Sequence, residues 1–324
     1  MVTRRHVLYL AAGSAALATT ARIAWAQSYP TRPVRILVGF AAGGNFDIVV
    51  RLLSPWLSEQ LHQPVIVENR PGAGSNIATE AAVRATPDGY TLLLGGAVNA
   101  INATLYEKLG FSFIKELAPV AGVVRFPNVM AVHASFPAKT VPEFIAYAKA
   151  NPGKISHGSS GTGTTQHLAG ELFKMRTGAE FVHIPYKGGS QAITDLISGQ
   201  VQVAFESLPV SIPHIKSGKL RALAVTTATR SELLPELPTV GEFVAGYEAS
   251  GWAGLVAPKN TPVAIIERLN RLINAGLSEP KLRARLADLG ATPFSGSASD
   301  FGKLIAEETE KWAKVIRASN IKVG

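Results

Sequence analysis

The fold class of this sequence follows from residues 34–45, Val34-Arg35-Ile36-Leu37-Val38-Gly39-Phe40-Ala41-Ala42-Gly43-Gly44-Asn45. An apolar run of strand length ends in a glycine-rich turn, and apolar residues then recur at helical spacing over about 46–61. The alternation continues with a strand at 64–68, a helix at about 76–85 and a buried strand at 90–94. This βαβαβ order predicts a parallel sheet with helices on its faces.

A second series of strands and helices follows a long extended stretch at 117–133. Its strands are predicted at 155–158, 181–184, 201–205 and 220–226, and its helices at about 142–150, 165–177 and 190–198. Beyond residue 258 the pattern is helical, at about 262–277, 279–288 and 298–318. Two α/β series joined by extended segments predict two lobes.

We therefore predict an α/β protein whose two α/β lobes are joined by extended hinge strands. Lobe 1 is expected at 27–128 and lobe 2 at 129–249, and segment 250–324 is expected to return to lobe 1. The chain has 324 residues, of which 47% are hydrophobic and 17% charged. This length and composition suit a soluble protein with two packed cores.

Residues 1–26 have the features of a cleaved signal peptide. Two arginines precede an apolar run at 7–18, and Ala24-Trp25-Ala26 has the small-x-small form of a processing site. The run is shorter than the ~20 residues that span a membrane, which favours cleavage over a membrane anchor. We expect cleavage near Ala26-Gln27 and a periplasmic mature protein. The paired arginines also resemble a twin-arginine export signal, but paired basic residues occur in general secretory signals too.

The net charge and the cysteine content limit the classes of ligand, partner and metal that the protein could bind. The formal net charge is +9, and the loss of Arg4, Arg5 and Arg22 with the signal peptide lowers it to +6. This modest positive charge fits an anionic ligand. The basic residues are scattered and no basic run is interleaved with aromatic residues, so we predict no nucleic-acid partner. The chain has no cysteine, which excludes disulfides, thiol catalysis and cysteine-ligated metals.

Three loops rich in glycine and hydroxyl residues each follow a predicted strand and open a helix. They lie at 41–45, 159–165 and 187–190. Each places free backbone N–H groups and the positive end of a helix at the carboxyl edge of a sheet, where ligands of open α/β sheets bind. One such loop is often only a tight connection. Three of them, divided between two lobes, favour an anion site in the cleft.

Common enzyme signatures are missing from the sequence. No Gly-Lys pair precedes Ser or Thr, so no Walker A motif is present. The run 158–161 is one residue too short for a nucleophile elbow, and 161–166 lacks the last glycine of a dinucleotide fingerprint. The seven histidines show no metal-binding spacing. We therefore predict a protein that is not an enzyme and that holds no cofactor or metal.

Three side chains near the loops have two interpretations each. His167 either donates to a ligand or braces the glycine loop beside it. Asp47 either holds a ligand amine or hydroxyl or stabilises its helix N-terminus. Glu206, at a strand end, either faces the ligand or points to water. If the two acids line a closed cleft, the ligand should carry hydrogen-bond donors besides its carboxylate.

Several motifs together resemble the Bug family, the periplasmic (TctC-like) receptors of tripartite tricarboxylate transporters. The motifs in the first half are YPTRPVR at 29–35, GGNFD at 43–47, VENRPGAG at 67–74 and PDGYTLL at 87–93. Those in the second half are AKANPGK at 148–154, HIPYKG at 183–188, LRALAVT at 220–226 and PTV at 238–240. The resemblance covers essentially all of the mature chain.

The resemblance implies a type II periplasmic-binding-protein fold and a carboxylate held by main-chain groups and ordered water near 40–47. It places the second-lobe contacts at 159–167 and 187–191. The family usually has proline before the glycine pair, where this chain has Ala42, so the first loop is less constrained here. The residues that we predict to contact the ligand are Phe40, Ala41, Gly43, Gly44, Asn45, Asp47, Gly95, Ala97, Asn99, Ser159, Gly161, Thr162, Gly163, Thr164, His167, Lys187, Gly188, Ser190 and Glu206.

These inferences predict an extracytoplasmic solute receptor, monomeric, that binds a small carboxylate between its lobes and delivers it to integral membrane transporter subunits. One alternative is a periplasmic partner of a signalling protein, which would close on its ligand in the same way. Another is an enzyme that acts on a carboxylate in the same cleft, since residues brought together only by folding are invisible in one sequence.

Overall fold

The computed structural model describes residues 29–323, which form two α/β domains, each built around one sheet. The predicted signal peptide lies outside the described residues. The strands are β1 (Val34–Val38), β2 (Val65–Asn69), β3 (Thr91–Gly96), β4 (Leu117–Phe126), β5 (Asn128–His133), β6 (Ser156–Ser159), β7 (Val182–Pro185), β8 (Val203–Ser207), β9 (Leu220–Val225), β10 (Gly251–Pro258) and β11 (Thr292–Pro293).

Eleven α-helices cover or connect these strands within the described residues. They are α1 (Asn45–Leu61), α2 (Asn76–Val83), α3 (Ala97–Leu105), α4 (Phe113–Glu116), α5 (Val141–Ala150), α6 (Thr165–Thr177), α7 (Gly189–Ile197), α8 (Leu208–Lys216), α9 (Val263–Ser278), α10 (Pro280–Asp288) and α11 (Ala298–Ala318). Short 3₁₀ helices lie at Ala73–Ser75 and Val240–Glu242. No helix of residues 29–323 is long and apolar enough to cross a bilayer.

The first domain contains a six-stranded sheet in the order β11-β4-β10-β3-β1-β2. Strand β1 pairs in parallel with β2 and β3, and β10 runs antiparallel between β3 and β4. Val34, Ile36 and Val38 of β1 are buried in a core that α1 and α9 cover. Because β1, β2 and β3 run in parallel, their carboxyl ends share one sheet edge.

The second domain contains a five-stranded sheet in the order β7-β6-β8-β5-β9. Strand β6 pairs in parallel with β7 and β8, and β5 runs antiparallel to β8 and β9. The chain enters this sheet at Pro127, between β4 and β5, and returns to the first sheet through 226–250. The chain therefore crosses between the domains twice, at Pro127 and through 226–250, which contains turns and the 3₁₀ helix at Val240–Glu242. The limits of the lobes are still a prediction.

Helix α11 contacts both domains and fixes the end of the crossing segment 226–250. It packs on α3 and β4 of the first domain and on α6 of the second. The buried Glu308 accepts hydrogen bonds from the indole nitrogens of Trp252 (3.2 Å) and Trp312 (2.8 Å). Lys311 pairs with the same carboxylate and donates to the carbonyl oxygen of Glu248 at 3.2 Å. The start of β10, at Trp252, and the end of the crossing segment 226–250, at Glu248, are thus both fixed to α11.

Most predicted elements are confirmed, and two of the exceptions share a cause. The helices expected at 46–61, 165–177 and 298–318 match α1, α6 and α11 within one residue. Strand β10 and helices α3 and α8 were not predicted. Strand β10 is buried on both faces, and most residues of α3 are buried, including Asn99 and Asn102, so neither shows the polar alternation that marks one exposed face.

Candidate functional site

Three helices begin at the shared edge of β1, β2 and β3, and in none of them does the side chain of the N-cap residue accept a hydrogen bond from the first turn. Their N-cap residues are Gly44 for α1, Ser75 for α2 and Gly96 for α3. A Cβ built on Gly39 would lie 1.9 Å from Ser75 Oγ, and one built on Gly96 would lie 2.5 Å from Cζ of Phe46. The three helix starts are therefore close neighbours, and their free N–H groups make this edge suitable for an anion.

Two polar side-chain atoms at the start of α2 have no hydrogen-bond partner in the protein, although the Asn76 Oδ1 accepts from Asn102 Nδ2 at 2.9 Å. Ser75 Oγ belongs to a residue that is 1% exposed and Asn76 Nδ2 to one that is 7% exposed. Buried polar atoms are nearly always hydrogen-bonded in folded proteins, so unpartnered ones point to a group from outside the chain. Sequence reasoning missed both residues, although the glycines at 72 and 74 before this helix were a visible signal.

The loop after β1 is braced by Asp47. Its carboxylate accepts hydrogen bonds from the Gly43 N–H (2.9 Å), from Arg51 Nε (2.9 Å) and from Asn69 Nδ2 (2.9 Å). Burial raises the pKa of Asp47, but these hydrogen bonds outweigh it and hold the pKa below its usual value. Both oxygens are engaged inside the protein, which favours the bracing interpretation of Asp47.

The backbone of the loop around the Asp47 carboxylate is exposed to solvent. Asn69 Nδ2 also donates to the Phe40 carbonyl oxygen at 3.0 Å, so β2 helps to position the loop. Ala41, Gly43, Gly44 and Asn45 are exposed, and Gly43 has a φ of 83°, a left-handed conformation that suits glycine. The sequence did not single out Arg51 and Asn69, because their role follows from contacts that only the fold creates.

The residues predicted after β3 shape the start of α3. Asn99 Oδ1 accepts from the Gly96 N–H (2.8 Å), and Asn99 Nδ2 donates to Thr79 Oγ1 (2.8 Å). Both ends of the Asn99 amide are therefore engaged within the domain. Ala97 is buried, and a Cβ on Gly95 would lie 3.0 Å from the Phe113 ring. These residues fix the position of α3, and their contact with a ligand remains a prediction.

The second domain presents the loop between β6 and α6. Ser159 Oγ lies 2.6 Å from His183 Nε2, and Thr164 Oγ1 accepts from the His167 N–H at 3.3 Å. Gly161 and Gly163 have φ values of 128° and 77°. Thr162, between them, is exposed at the tip of the loop.

This loop also touches the first domain. A Cβ on Gly163 would lie 2.3 Å from Cδ2 of Leu105, which ends α3. The carboxyl edge of the second sheet therefore faces the first domain, as a site shared between two domains requires.

A pair of stacked histidines supports this loop. His167 Nδ1 accepts a hydrogen bond from the Gly163 N–H at 3.1 Å. The His167 and His183 rings stack with centroids 3.6 Å apart and planes 10° apart. Burial, followed by the nearby Lys174, lowers the pKa of His167 to about 4, and burial followed by the stacked His167 lowers the pKa of His183 to about 4. The geometry favours bracing as the role of His167.

Glu206, at the end of β8, is 1% exposed, so the interpretation that it points to water is wrong. Its carboxylate accepts hydrogen bonds from Ser160 Oγ (2.6 Å) and from the Ser207 N–H (2.7 Å). Burial raises the pKa of Glu206, and hydrogen bonds from Ser160, Ser207 and Gln166 oppose that rise. Beside it, α7 begins at Gly189 without a side-chain cap.

The turn before α7 is largely exposed to solvent. Lys187 and Ser190 are exposed, Gly188 is half-buried, and the Lys187 N–H donates to Gln191 Oε1 at 3.2 Å. Within residues 29–323, no cluster of three or more histidine, aspartate or glutamate side chains could hold a metal ion. The site thus offers backbone N–H groups, hydroxyls and amides, the groups that bind and orient a small polar ligand.

The family described as "Tripartite tricarboxylate transporter family receptor" matches residues 49–321. The chain belongs to this family. Membership identifies a solute-binding receptor, which excludes the interpretation as an enzyme and confirms the Bug-like resemblance. BugT of Bordetella pertussis is 38% identical to this receptor over 303 residues, with 92% of each chain covered.

Solved structures confirm the predicted type II periplasmic-binding-protein fold of this receptor. An R. palustris protein solved with adipate is 36% identical and has a TM-score of 0.77, covering 91% of this chain and 99% of its own. A TctC solute-binding protein from Polaromonas, solved without ligand, is 28% identical and has a TM-score of 0.82, covering 90% and 99%.

Proposed function

We propose that this receptor binds a small carboxylate between its two domains in the periplasm and delivers it to the membrane subunits of a tripartite tricarboxylate transporter. In this proposal residues 1–26 are removed, lobe 1 comprises 27–128 and 250–324, and lobe 2 comprises 129–249. The receptor acts as a monomer.

The observation that carries the proposal is the shared edge of β1, β2 and β3. Three helix N-termini without a hydrogen bond from the first turn to the N-cap side chain meet there, beside the unpartnered Ser75 Oγ and Asn76 Nδ2. Hydrogen bonds from N–H and O–H donors to a carboxylate are about twice as strong as those between neutral groups. A carboxylate therefore gains more from this edge than a neutral ligand does. The R. palustris relative solved with adipate supports the same ligand class.

Matched pairs of ligands test the proposal by thermal shift. The screen covers di- and tricarboxylates, aromatic acids and acidic amino acids, each with its amide or methyl ester. We expect at least one carboxylate to raise the melting temperature and its neutral analogue to have no effect. At ~100 times its dissociation constant, the ligand should add about 2.7 kcal/mol to the free energy of unfolding. Equal shifts with the neutral analogues would show that the edge is not an anion site.

A further inference from the structure

The part of the site formed by the second domain contains a buried carboxyl group, that of Glu206. Glu206 is 1% exposed and lies near the end of β8, the strand that pairs in parallel with β6. Donors surround its carboxylate: Ser160 Oγ at 2.6 Å, the Ser207 N–H at 2.7 Å and the amide of Gln166. The side chains of Ser160 and Gln166 therefore cover the Glu206 carboxylate and shield it from solvent.

The only donor of the Ser160 side chain is turned inwards, towards Glu206. Ser160 and Gln166 are both half-buried, so part of each remains accessible from outside. The single hydroxyl proton of Ser160 is directed at Glu206, which leaves only its oxygen lone pairs for another group. At Ser160 the second domain therefore accepts a hydrogen bond from a ligand and does not donate one.

The same carboxylate lies against the start of α7. A Cβ built on Gly189 would lie 2.6 Å from Cδ of Glu206 and 2.8 Å from each carboxylate oxygen. The N-terminus of a helix carries a partial positive charge that attracts anions. Here an internal carboxylate already occupies that position, so a second anion from a ligand would meet a like charge at short range.

We infer that the second domain selects for a hydrogen-bond donor and against a second carboxylate. The ligand then carries one carboxylate, bound at the edge of β1, β2 and β3, and a hydroxyl, ammonium or amide N–H group that reaches Ser160. This inference rests on the proposed function and narrows its ligand class. Glu206 sets this specificity through Ser160 and Gln166, without touching the ligand itself.

Calorimetric titration with ligands of equal length tests the inference. Adipate is compared with 6-hydroxyhexanoate and 6-aminohexanoate, and succinate with 4-hydroxybutyrate and 4-aminobutyrate. In the unaltered receptor we expect the donor-ended acids to bind at least ~10-fold more tightly than the dicarboxylate of the same length. A difference of this size corresponds to the free energy of one hydrogen bond. Tighter binding of the dicarboxylates would overturn the inference without any variant.

Glu206→Gln keeps the shape of the side chain and removes its charge. The new amide can donate to Ser160, which frees the Ser160 hydroxyl to donate to a ligand. We expect the preference for donor-ended acids to fall by ~10-fold or to reverse. Glu180→Gln is the matched control, since Glu180 is exposed and precedes β7, at the opposite edge of the same sheet.

The outcomes separate this inference from the proposed function. An unchanged preference in Glu206→Gln, or an equal change for all ligands, would overturn the inference and leave the carboxylate receptor intact. An equal loss of preference in Glu180→Gln would also overturn it, because the effect would then belong to net charge. Failure of every carboxylate to bind the unaltered receptor would overturn the proposed function, and the inference with it.

Discussion

Gly44→Val is expected to abolish carboxylate binding while leaving the melting temperature of the free receptor unchanged. Gly44 has a φ of −79° and a ψ of 166°, which any residue can adopt, and a Cβ there would meet only the Ala41 carbonyl oxygen, at 3.4 Å. The fold therefore accepts valine. The branched side chain would stand beside the free N–H groups of the first turn of α1 and keep a ligand away from them.

The expected loss is large because several hydrogen bonds are lost together. A hydrogen bond to a charged group contributes about 1.5–3 kcal/mol, so losing two of them lowers affinity by ~100-fold or more. Gly110→Val is the control, since Gly110 is also exposed, has no atom within 4 Å of a built Cβ and belongs to none of the three loops. Calorimetric titration of both variants measures the effect. Undiminished affinity in Gly44→Val would place the site elsewhere.

Acid is expected to destabilise the receptor through the stacked histidines. His167 and His183 have folded-state pKa values of about 4, whereas an unfolded histidine has a pKa of about 6.5. Between these values the unfolded chain binds protons that the folded chain does not. The stability from neutral, stacked rings is therefore complete above about pH 6.5 and is lost as the pH falls towards 4, by about 1.4 kcal/mol per pH unit for each histidine.

Urea unfolding at pH 7, 5.5 and 4.5 measures this dependence. The double variant His167→Gln and His183→Gln should lose the part of the decline that these two rings cause, because glutamine does not titrate. The fully buried His157, whose pKa burial also lowers, keeps its own part in both proteins. Glu206, whose pKa burial raises, contributes in the opposite direction, but it is present in both proteins and cancels in the comparison. His62→Asn, at an exposed left-handed position that asparagine tolerates, is the matched control. Identical declines in the wild type and the double variant would show that these rings do not govern acid stability.

The sequence was sufficient for the parts of the fold that depend on local pattern. Helices α1 and α6 both follow glycine turns, and α1 also shows clear apolar periodicity, so the limits of both could be read within one residue. Strand β10 could not, because residues 251–258 are apolar or glycine and carry no alternation. Its position between β3 and β4 depends on pairing with residues more than 100 positions earlier, which no local pattern encodes.

The candidate site was predictable as loops but not as individual contacts. The glycine and hydroxyl content of 41–45 and 159–165 indicated backbone N–H groups at strand ends, and the structure places helix starts there. The roles of Asp47 and Glu206 depend on partners such as Asn69 and Ser160, which are 22 and 46 residues away. Ser75 was missed because a hydroxyl without a partner is apparent only once its surroundings are known.

The most direct test of the carboxylate site is a crystal structure of the receptor with a carboxylate found in the thermal-shift screen. We expect the ligand carboxylate within hydrogen-bond distance of the first-turn N–H groups of α1 and of Ser75 Oγ, with the rest of the ligand extending towards Ser160. A carboxylate bound elsewhere would contradict the account, for example in the cavity of about 490 Å³ between Ser231 and Arg283.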